Sequence, residues 1–255
     1  MSGAHAHALY YHEHSPVHRA PAACKLAAHL AFVLIVVATP REAVWAFGAY
    51  AVLLVLVGSL ARLPLGFALP RLAVELPFVA FALILPFIAS GERIEVGGLA
   101  LSRDGLWGAW NILAKGTLGV GASVIVAATT TLPELVHGLE RLRLPRVFTQ
   151  MAAFMVRYLD VIADELRRMR LARTARAYDP RWLWQARAIA ASAGALFIRS
   201  FERGERVWLA MVSRGYEGSM PAVGPGAIEA RWWVASLAVP GAAGVVCVLA
   251  WIGLR

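Results

Sequence analysis

Residues 195–218 read ALFIRSFERGERVWLAMVSRGYEG, and this stretch decides the fold. Its apolar positions, Leu196, Phe197, Phe201, Val207, Trp208 and Met211, continue a stripe begun at Ile189 and Ala193. The spacing is i, i+3, i+4, which predicts an amphipathic helix. Glu202 and Arg206 form a favourable i, i+4 pair on the polar face, and Gly215 offers the left-handed stop that ends many helices. Such a helix is too charged to cross a bilayer. It sits in a chain that is 59% hydrophobic and 16% charged, with a mean hydropathy of +0.62. That composition excludes an ordinary soluble domain.

Working outward, a second helix of the same kind precedes the first. Met151, Phe154, Met155, Tyr158, Leu159, Ile162, Leu166 and Met169 make a stripe over five turns, with Asp164–Arg168 in the favourable i, i+4 order. Pro180 fixes its end at or before Asp179. A shorter helix is expected over 133–142, with Pro133 in its first turn and Leu135 and Leu139 on one face. Both long helices end on the same tag, Arg176-Ala177-Tyr178-Asp179 and Arg214-Gly215-Tyr216-Glu217.

Five apolar runs flank this block, at about 24–39, 43–60, 72–90, 106–131 and 231–254. At 1.5 Å per residue, 18 residues cover about 27 Å, just enough for the hydrocarbon layer. The first run is short and needs its flanks to snorkel, or a tilt beside the second. The expected fold is therefore all-α: a polytopic membrane protein with about five transmembrane helices and a block of amphipathic helices between spans four and five. It divides into a His-rich segment 1–23, a four-helix membrane region 24–131, the amphipathic block 132–222 and a last span within 223–255.

Charge sets an orientation. Residues 133–222 hold 15 Arg, no Lys and 9 Asp or Glu, so they carry +6 of the net +9. Loop 61–71 has Arg62 and Arg71 and no acid, whereas loop 91–105 mixes Arg93 and Arg103 with Glu92, Glu95 and Asp104. The positive-inside rule then puts the N-terminus, loop 61–71 and the amphipathic block in the cytoplasm, and Arg255 outside. The N-terminus lacks the pattern of a signal peptide.

Within the spans, Glu75 and Lys115 are the charged residues. Each reads either as functional or as snorkelling from a span end. Pro77 and Pro86 should kink the third span, and Gly116, Gly119 and Gly121 thin the fourth for close packing. Cys24 and Cys247 lie in or beside apolar runs and read as buried thiols.

No catalytic constellation emerges. The chain has no G-x-x-x-x-G-K-[ST] phosphate loop, no H-E-x-x-H and no G-x-S-x-G with triad partners. Asp160, Asp164 and Glu165 are surrounded by Arg157, Arg167 and Arg168 and read as ion-paired surface carboxylates. No cofactor is expected. Six of seven histidines fall in the first 29 residues: His5, His7, His12, His14, His18 and His29. The His-x-His pairs His5/His7 and His12/His14 can present imidazoles to a divalent ion, or be incidental to a tail; they lack a closed four-ligand set.

The twin tags also have two readings. An arginine at a helix C-terminus complements the exposed carbonyls there, so Arg176 and Arg214 could simply cap. The repeat of small–Arg–small–Tyr–acid argues for docking instead. Small neighbours leave the guanidinium fork uncovered and able to pair bidentately with a partner's carboxylate.

The order of four spans, amphipathic block, two arginine tags and one more span resembles the transmembrane T component of energy-coupling factor (ECF) transporters. That family carries two Ala-Arg-Gly-like motifs at the ends of two coupling helices, here Ala175-Arg176-Ala177 and Ser213-Arg214-Gly215. Both depart by one residue, with Ala177 in place of glycine and Ser213 in place of alanine. Ala177 leads to the expectation that the two helix ends differ in conformation. The stretches SPVHRAPAACKLAAHLAFVLIVVATPR, MVRYLDVIADELRRMRLAR and ALFIRSFERGERVWLAMVSRGYEG are similar to the cobalt-transport type of the family, CbiQ.

The resemblance implies a non-catalytic coupling subunit joining two ATP-binding cassette ATPases to a membrane substrate-binding subunit, CbiM-like and in some systems with a CbiN-like small subunit. Arg176 and Arg214 would enter grooves on the ATPases. The stripe residues Phe154, Tyr158, Ile162, Leu166, Leu196, Phe197, Phe201 and Trp208 would meet the membrane partner. The implied substrate is Co²⁺, with Ni²⁺ next and a vitamin behind both. Two other classes compete: a membrane enzyme using the basic face 157–187 on an anionic lipid or phosphate substrate, and a cytoplasmic-face receptor for nucleic acid or anionic lipids using basic residues interleaved with Trp182 and Trp184. The first lacks a nucleophile or metal-ligand cluster. The nine acidic residues of the block dilute the field the second needs, so no nucleic-acid partner is expected.

Overall fold

The computed structural model describes residues 10–96, 99–178, 186–218 and 228–253. Its helices are α1 Pro16–Arg19, α2 Ala22–Ala38, α3 Val44–Leu60, α4 Leu65–Ala68, α5 Leu76–Ile88, α6 Arg103–Thr129, α7 Leu132–Arg141, α8 Arg146–Ala175, α9 Ala186–Val212 and α10 Ala230–Gly253, with a 3-10 segment Leu69–Glu75 ahead of α5. The chain is an all-α membrane protein. The stretch Leu69–Ile88, α6 and α10 are long and apolar enough to cross a bilayer, while α2 and α3 are apolar but have 17 residues each. At 1.5 Å per residue 17 residues reach about 26 Å, so α2 and α3 need their polar ends held at the boundary. Loop 91–105 holds one non-helical element, an antiparallel pair β1 Arg93–Val96 and β2 Leu99–Ser102 with Arg93 opposite Ser102.

The chain forms two compact units. Of the described residues, one contains those within 10–142 and 228–253, the other those within 143–218. In the first, α10 packs on α2 and α3, α6 lies against α2, α3 and α5, and α7 packs on α2. The core is Phe32, Val36, Ala46, Phe47, Tyr50, Leu118, Ala122, Ala243 and Ala250. Within it the hydroxyls of Thr39 and Tyr50 lie 2.8 Å apart, and Tyr50 also reaches the Ala243 carbonyl at 3.4 Å.

Close packing comes from glycines that no sequence pattern singles out. A Cβ on Gly105 would stand 2.7 Å from the Pro86 Cα, and one on Gly108 would stand 2.6 Å from Leu85 Cδ2, which sets α6 tight on α5. Gly138 does the same for α7, where a Cβ would come within 3.0 Å of the Ala22 and Ala23 backbone. Of the three glycines expected to thin the fourth span, Gly116 faces Glu75 and Gly121 touches Leu54, but Gly119 has open space.

The two charged residues within the expected spans both have polar partners. Glu75 is buried and accepts from the Thr117 hydroxyl at 3.0 Å on each carboxyl oxygen, in the space Gly116 leaves. Lys115 donates to the Val37 carbonyl at 2.8 Å, and Trp251 Nε1 donates to Ala38 O at 3.2 Å. Both close the C-terminus of α2, whose last carbonyls have no helical partner. Lys25 does the same for α6, donating to Thr129 O at 2.7 Å. Pro77 lies in the first turn of α5, where a missing N–H costs nothing, and the departure from α-helix falls ahead of it in Leu69–Glu75. Pro86 is inside α5. Cys24 and Cys247 are free thiols.

These contacts also fix the directions of the spans. Lys25 near the start of α2 meets the end of α6, and Lys115 meets the end of α2, so these helices are antiparallel. Trp251 near the end of α10 meets the end of α2, so α2 and α10 are parallel. Arg19, Arg62, Arg71, Arg141 and Arg231 therefore gather at one end of this unit with Lys25, Glu13, Glu134, Glu140 and Glu229, and Arg41, Arg93 and Arg103 with Glu42, Glu92, Glu95 and Asp104 at the other.

The short helix read from sequence at 133–142 is α7, Leu132–Arg141. Thr131 and Glu134 close its N-terminus as a capping box, with Pro133 in its first turn. It belongs to the spanning unit and packs on α2.

Candidate functional site

The second unit is built on α8 and α9. Their amphipathic pattern leaves one polar face for contacts between the pair. Glu165 on α8 accepts from Arg168 at 2.8 Å and from Arg199 of α9 at 2.5 Å. Arg173 on α8 donates to Ser192 Oγ at 3.0 Å, and Tyr216 beyond α9 donates to Gln150 Oε1 at 3.1 Å. The partners run in opposite order along the two helices, so α8 and α9 are antiparallel. These contacts replace two pairs expected from spacing. Asp164 pairs with Arg167 at 3.7 Å rather than with Arg168, because Glu165 takes Arg168. Among the described residues no Glu202–Arg206 pair forms. The hydrogen bonds from Arg168 and then Arg199 hold the Glu165 carboxyl below the usual carboxylate range, and the same contact raises Arg168.

Both tags lie at helix ends of one geometry. After α8, the amide of Ala177 donates to Thr174 O at 2.9 Å and that of Tyr178 to Arg173 O at 3.1 Å. After α9, the amide of Gly215 donates to Val212 O and that of Tyr216 to Met211 O, each at 3.0 Å. This pair of bonds is the Schellman motif, with arginine at the C-cap, the small residue left-handed and tyrosine following. Ala177 has φ 56° and Gly215 φ 80°. The expectation that Ala177 would make the first end different is overturned. Two satisfied carbonyls outweigh the about 1–2 kcal/mol that a Cβ costs in the left-handed region.

Arg176 and Arg214 are exposed, and their guanidinium groups have no intrachain partner among the described residues. The orphan carbonyls are taken by backbone amides, not by the arginines. Ala175, Ala177, Ser213 and Gly215 are exposed beside them and place little bulk around each fork. The second tag is further braced by Trp208, edge-on to Tyr216 with centroids 5.8 Å apart, and by Gln150 Nε2, which donates to Gly218 O at 3.2 Å. Because Tyr216 docks at Gln150, the two tags stand at opposite ends of the pair. From Gln150 to Arg176 along α8 is 26 residues, or about 39 Å.

The apolar stripe divides. Ile162, Leu166, Phe197, Phe201 and Trp208 are exposed, with Phe197 71% accessible. Phe154, Tyr158 and Leu196 are half-buried, with the rings of Phe154 and Tyr158 stacked at 6.5 Å. Met151, Met155 and Leu159 extend the exposed face along α8.

His5, His7, Asp179, Pro180, Trp182 and Trp184 lie outside the described residues. His12 and His14 are exposed. No group of three metal-ligating side chains occurs among the described residues. His18 ties the N-terminal segment together, with its ring 2.7 Å from Ser15 Oγ and 3.0 Å from Tyr11 O. Burial lowers its pKa, against the pull of the Tyr11 bond.

The profile of the cobalt transport protein family CbiQ matches residues 13–223. The cobalt transport protein CbiQ of Rhodobacter capsulatus is 29% identical over 157 residues, covering 58% of this chain and 63% of its own. A protein of Methanocorpusculum labreanum, described as a putative fused cobalt transport protein CbiMQ, is 28% identical over 171 residues, 65% of this chain and 27% of its own. The energy-coupling factor transporter transmembrane protein EcfT of Listeria innocua is 26% identical over 224 residues, 82% of this chain and 83% of its own. The chain spans less than two thirds of the length of most of the curated relatives it matches. With the family profile covering most of its length, the chain belongs to the CbiQ cobalt transport protein family, the transmembrane component type of ECF transporters.

Proposed function

We propose that this chain is the coupling subunit of an ECF-type importer for cobalt ion, and that it is not itself a catalyst. One observation carries the reading. Two arginines in the same type of closing turn, Arg176 and Arg214, stand uncovered at opposite ends of an antiparallel helix pair about 39 Å long. A pair of like sites suits a pair of like partners, here two ATP-binding cassette ATPases, each offering a carboxylate-lined groove to one guanidinium fork. ATPase closure would shift the two helix ends. α8 and α9 are stiffened by the Glu165–Arg199 and Arg173–Ser192 contacts and would carry that shift as rigid levers.

The exposed residues Ile162, Leu166, Phe197, Phe201 and Trp208 would receive the membrane substrate-binding subunit, a CbiM-like partner, with the half-buried Phe154, Tyr158 and Leu196 lining the edge of that contact. A relative described as a CbiMQ fusion is in keeping with such a contact. The arginine-rich end of the spanning unit supports an inner-membrane, multi-pass placement with α8 and α9 cytoplasmic. Cobalt as substrate rests on the family description and on the cobalt transport relatives.

The test is uptake of labelled cobalt by cells co-expressing this chain with its ATPase and substrate-binding neighbours. Arg176→Glu and Arg214→Glu should each lower uptake severalfold without changing the amount of chain in the membrane. Full uptake by both variants overturns the docking role. Uptake of nickel but not cobalt by the unaltered complex overturns the substrate.

A further inference from the structure

The spanning unit contains a cavity of about 300 Å³ between the start of α2, the ends of α3 and α6 and the start of α10. Its walls are apolar, with Phe32, Leu54, Val126 and Val239 among them. Among the described residues Lys25 is the only charged side chain on it, and no carboxylate among them lines it. Lys25 is 8% exposed and spends one of its three N–H donors on the Thr129 carbonyl at 2.7 Å. His29 also lines the cavity, and its Nδ1 is buried without a hydrogen-bond partner.

An ammonium and an imidazole nitrogen buried beside an apolar slot are costly to leave half-satisfied. The group that satisfies both wall and head is an amphiphile with an anionic head. All four contributing helix ends belong to the arginine-rich end of the unit, where Arg19 adds positive charge near the rim and Arg231 is paired with Glu229 at 2.6 Å. Trp232 lines the cavity there, at the level where indole rings favour the membrane boundary. The helix surfaces beside it carry exposed Leu30, Leu34, Val55 and Leu56, which suit lipid chains.

We infer that this cavity is a binding site for an anionic phospholipid, with one acyl chain between α2, α3 and α10 and its phosphate at Lys25. The site is independent of the two arginine tags and would persist whichever partner those tags engage.

The test is native mass spectrometry of the full chain in detergent, titrated with phosphatidylglycerol, phosphatidylcholine or inorganic phosphate. Phosphatidylglycerol should bind about tenfold more strongly than phosphatidylcholine, and phosphate alone should not bind. Lys25→Met should remove that preference. Because Lys25 also closes α6, Ala235→Phe is the second variant: Ala235 lines the cavity and is exposed, so phenylalanine fills the slot without disturbing the core. It should weaken phosphatidylglycerol binding at least fivefold with helicity unchanged. Equal binding of the two lipids, binding of phosphate alone, or full binding by a folded Ala235→Phe chain overturns the assignment. So does loss of the lipid on assembly with the membrane partner, which would give the cavity to a protein helix.

Discussion

Ala177→Gly should tighten the end of α8, and the size of the effect follows from the backbone. Ala177 sits at φ 56°, where a Cβ costs about 1–2 kcal/mol. Glycine removes that strain but adds freedom to the unfolded chain, which takes back about 0.4–1 kcal/mol. The difference favours glycine by about 0.5–1 kcal/mol, a two- to fivefold smaller opening constant for the turn. The reporter is the amide of Tyr178, which donates to Arg173 O at 3.1 Å and is freed when the turn opens. Its hydrogen exchange in detergent should slow by about two- to fivefold. Gly215→Ala is the mirror experiment. Gly215 has φ 80° and no atom within 4 Å of an added Cβ, so the substitution adds backbone strain and nothing else. Exchange at the Tyr216 amide should quicken by a similar factor. Faster exchange at Tyr178 in Ala177→Gly would refute the left-handed turn. In any other conformation glycine only loosens a helix end.

Two further outcomes follow from packing and charge. Gly105→Ala places a Cβ 2.7 Å from the Pro86 backbone, which cannot rotate away. It should lower the unfolding midpoint of the purified chain by an amount equivalent to about 1–3 kcal/mol, whereas Gly119→Ala, with open space around it, should be neutral or stabilise by up to about 1 kcal/mol. The Glu165 carboxyl is held below its usual value, so its contribution to the α8–α9 contact is complete above the unfolded value of about 4.3 and is lost as pH falls through the lower folded value. Exchange protection in α8 and α9 should therefore be flat from about pH 7 to 5 and drop below about pH 4, and Glu165→Gln should remove that acid step.

Much of this architecture can be read from periodicity and charge. The amphipathic stripes of α8 and α9 follow a 3.6-residue period strong enough to name their faces, and the basic loops separate the two ends of the spans. What could not be read depends on residues distant in sequence. The burial of Glu75 requires Gly116 and Thr117 on α6, which no local pattern announces. Asp164 and Arg168 have ideal spacing, yet Arg168 turns to Glu165, which Arg199 of the next helix also claims. Ala177 reads as a poor left-handed residue by propensity alone. The hydrogen bonds of the closing turn override that preference, and the shared tyrosine after each small residue was the signal that the two ends match. Gly105, Gly108 and Gly138 are dispersed in the sequence and gain a common role only from the side chains and backbones that oppose them.

The central claim is that Arg176 and Arg214 are the contacts offered to two ATPase subunits. Its most direct measurement is the amount of ATPase that co-purifies with the Arg176→Glu/Arg214→Glu double variant from membranes holding normal levels of the chain. The expected result is near-complete loss of the ATPases with the membrane substrate-binding subunit retained. Co-purification unchanged from the unaltered chain would contradict the claim.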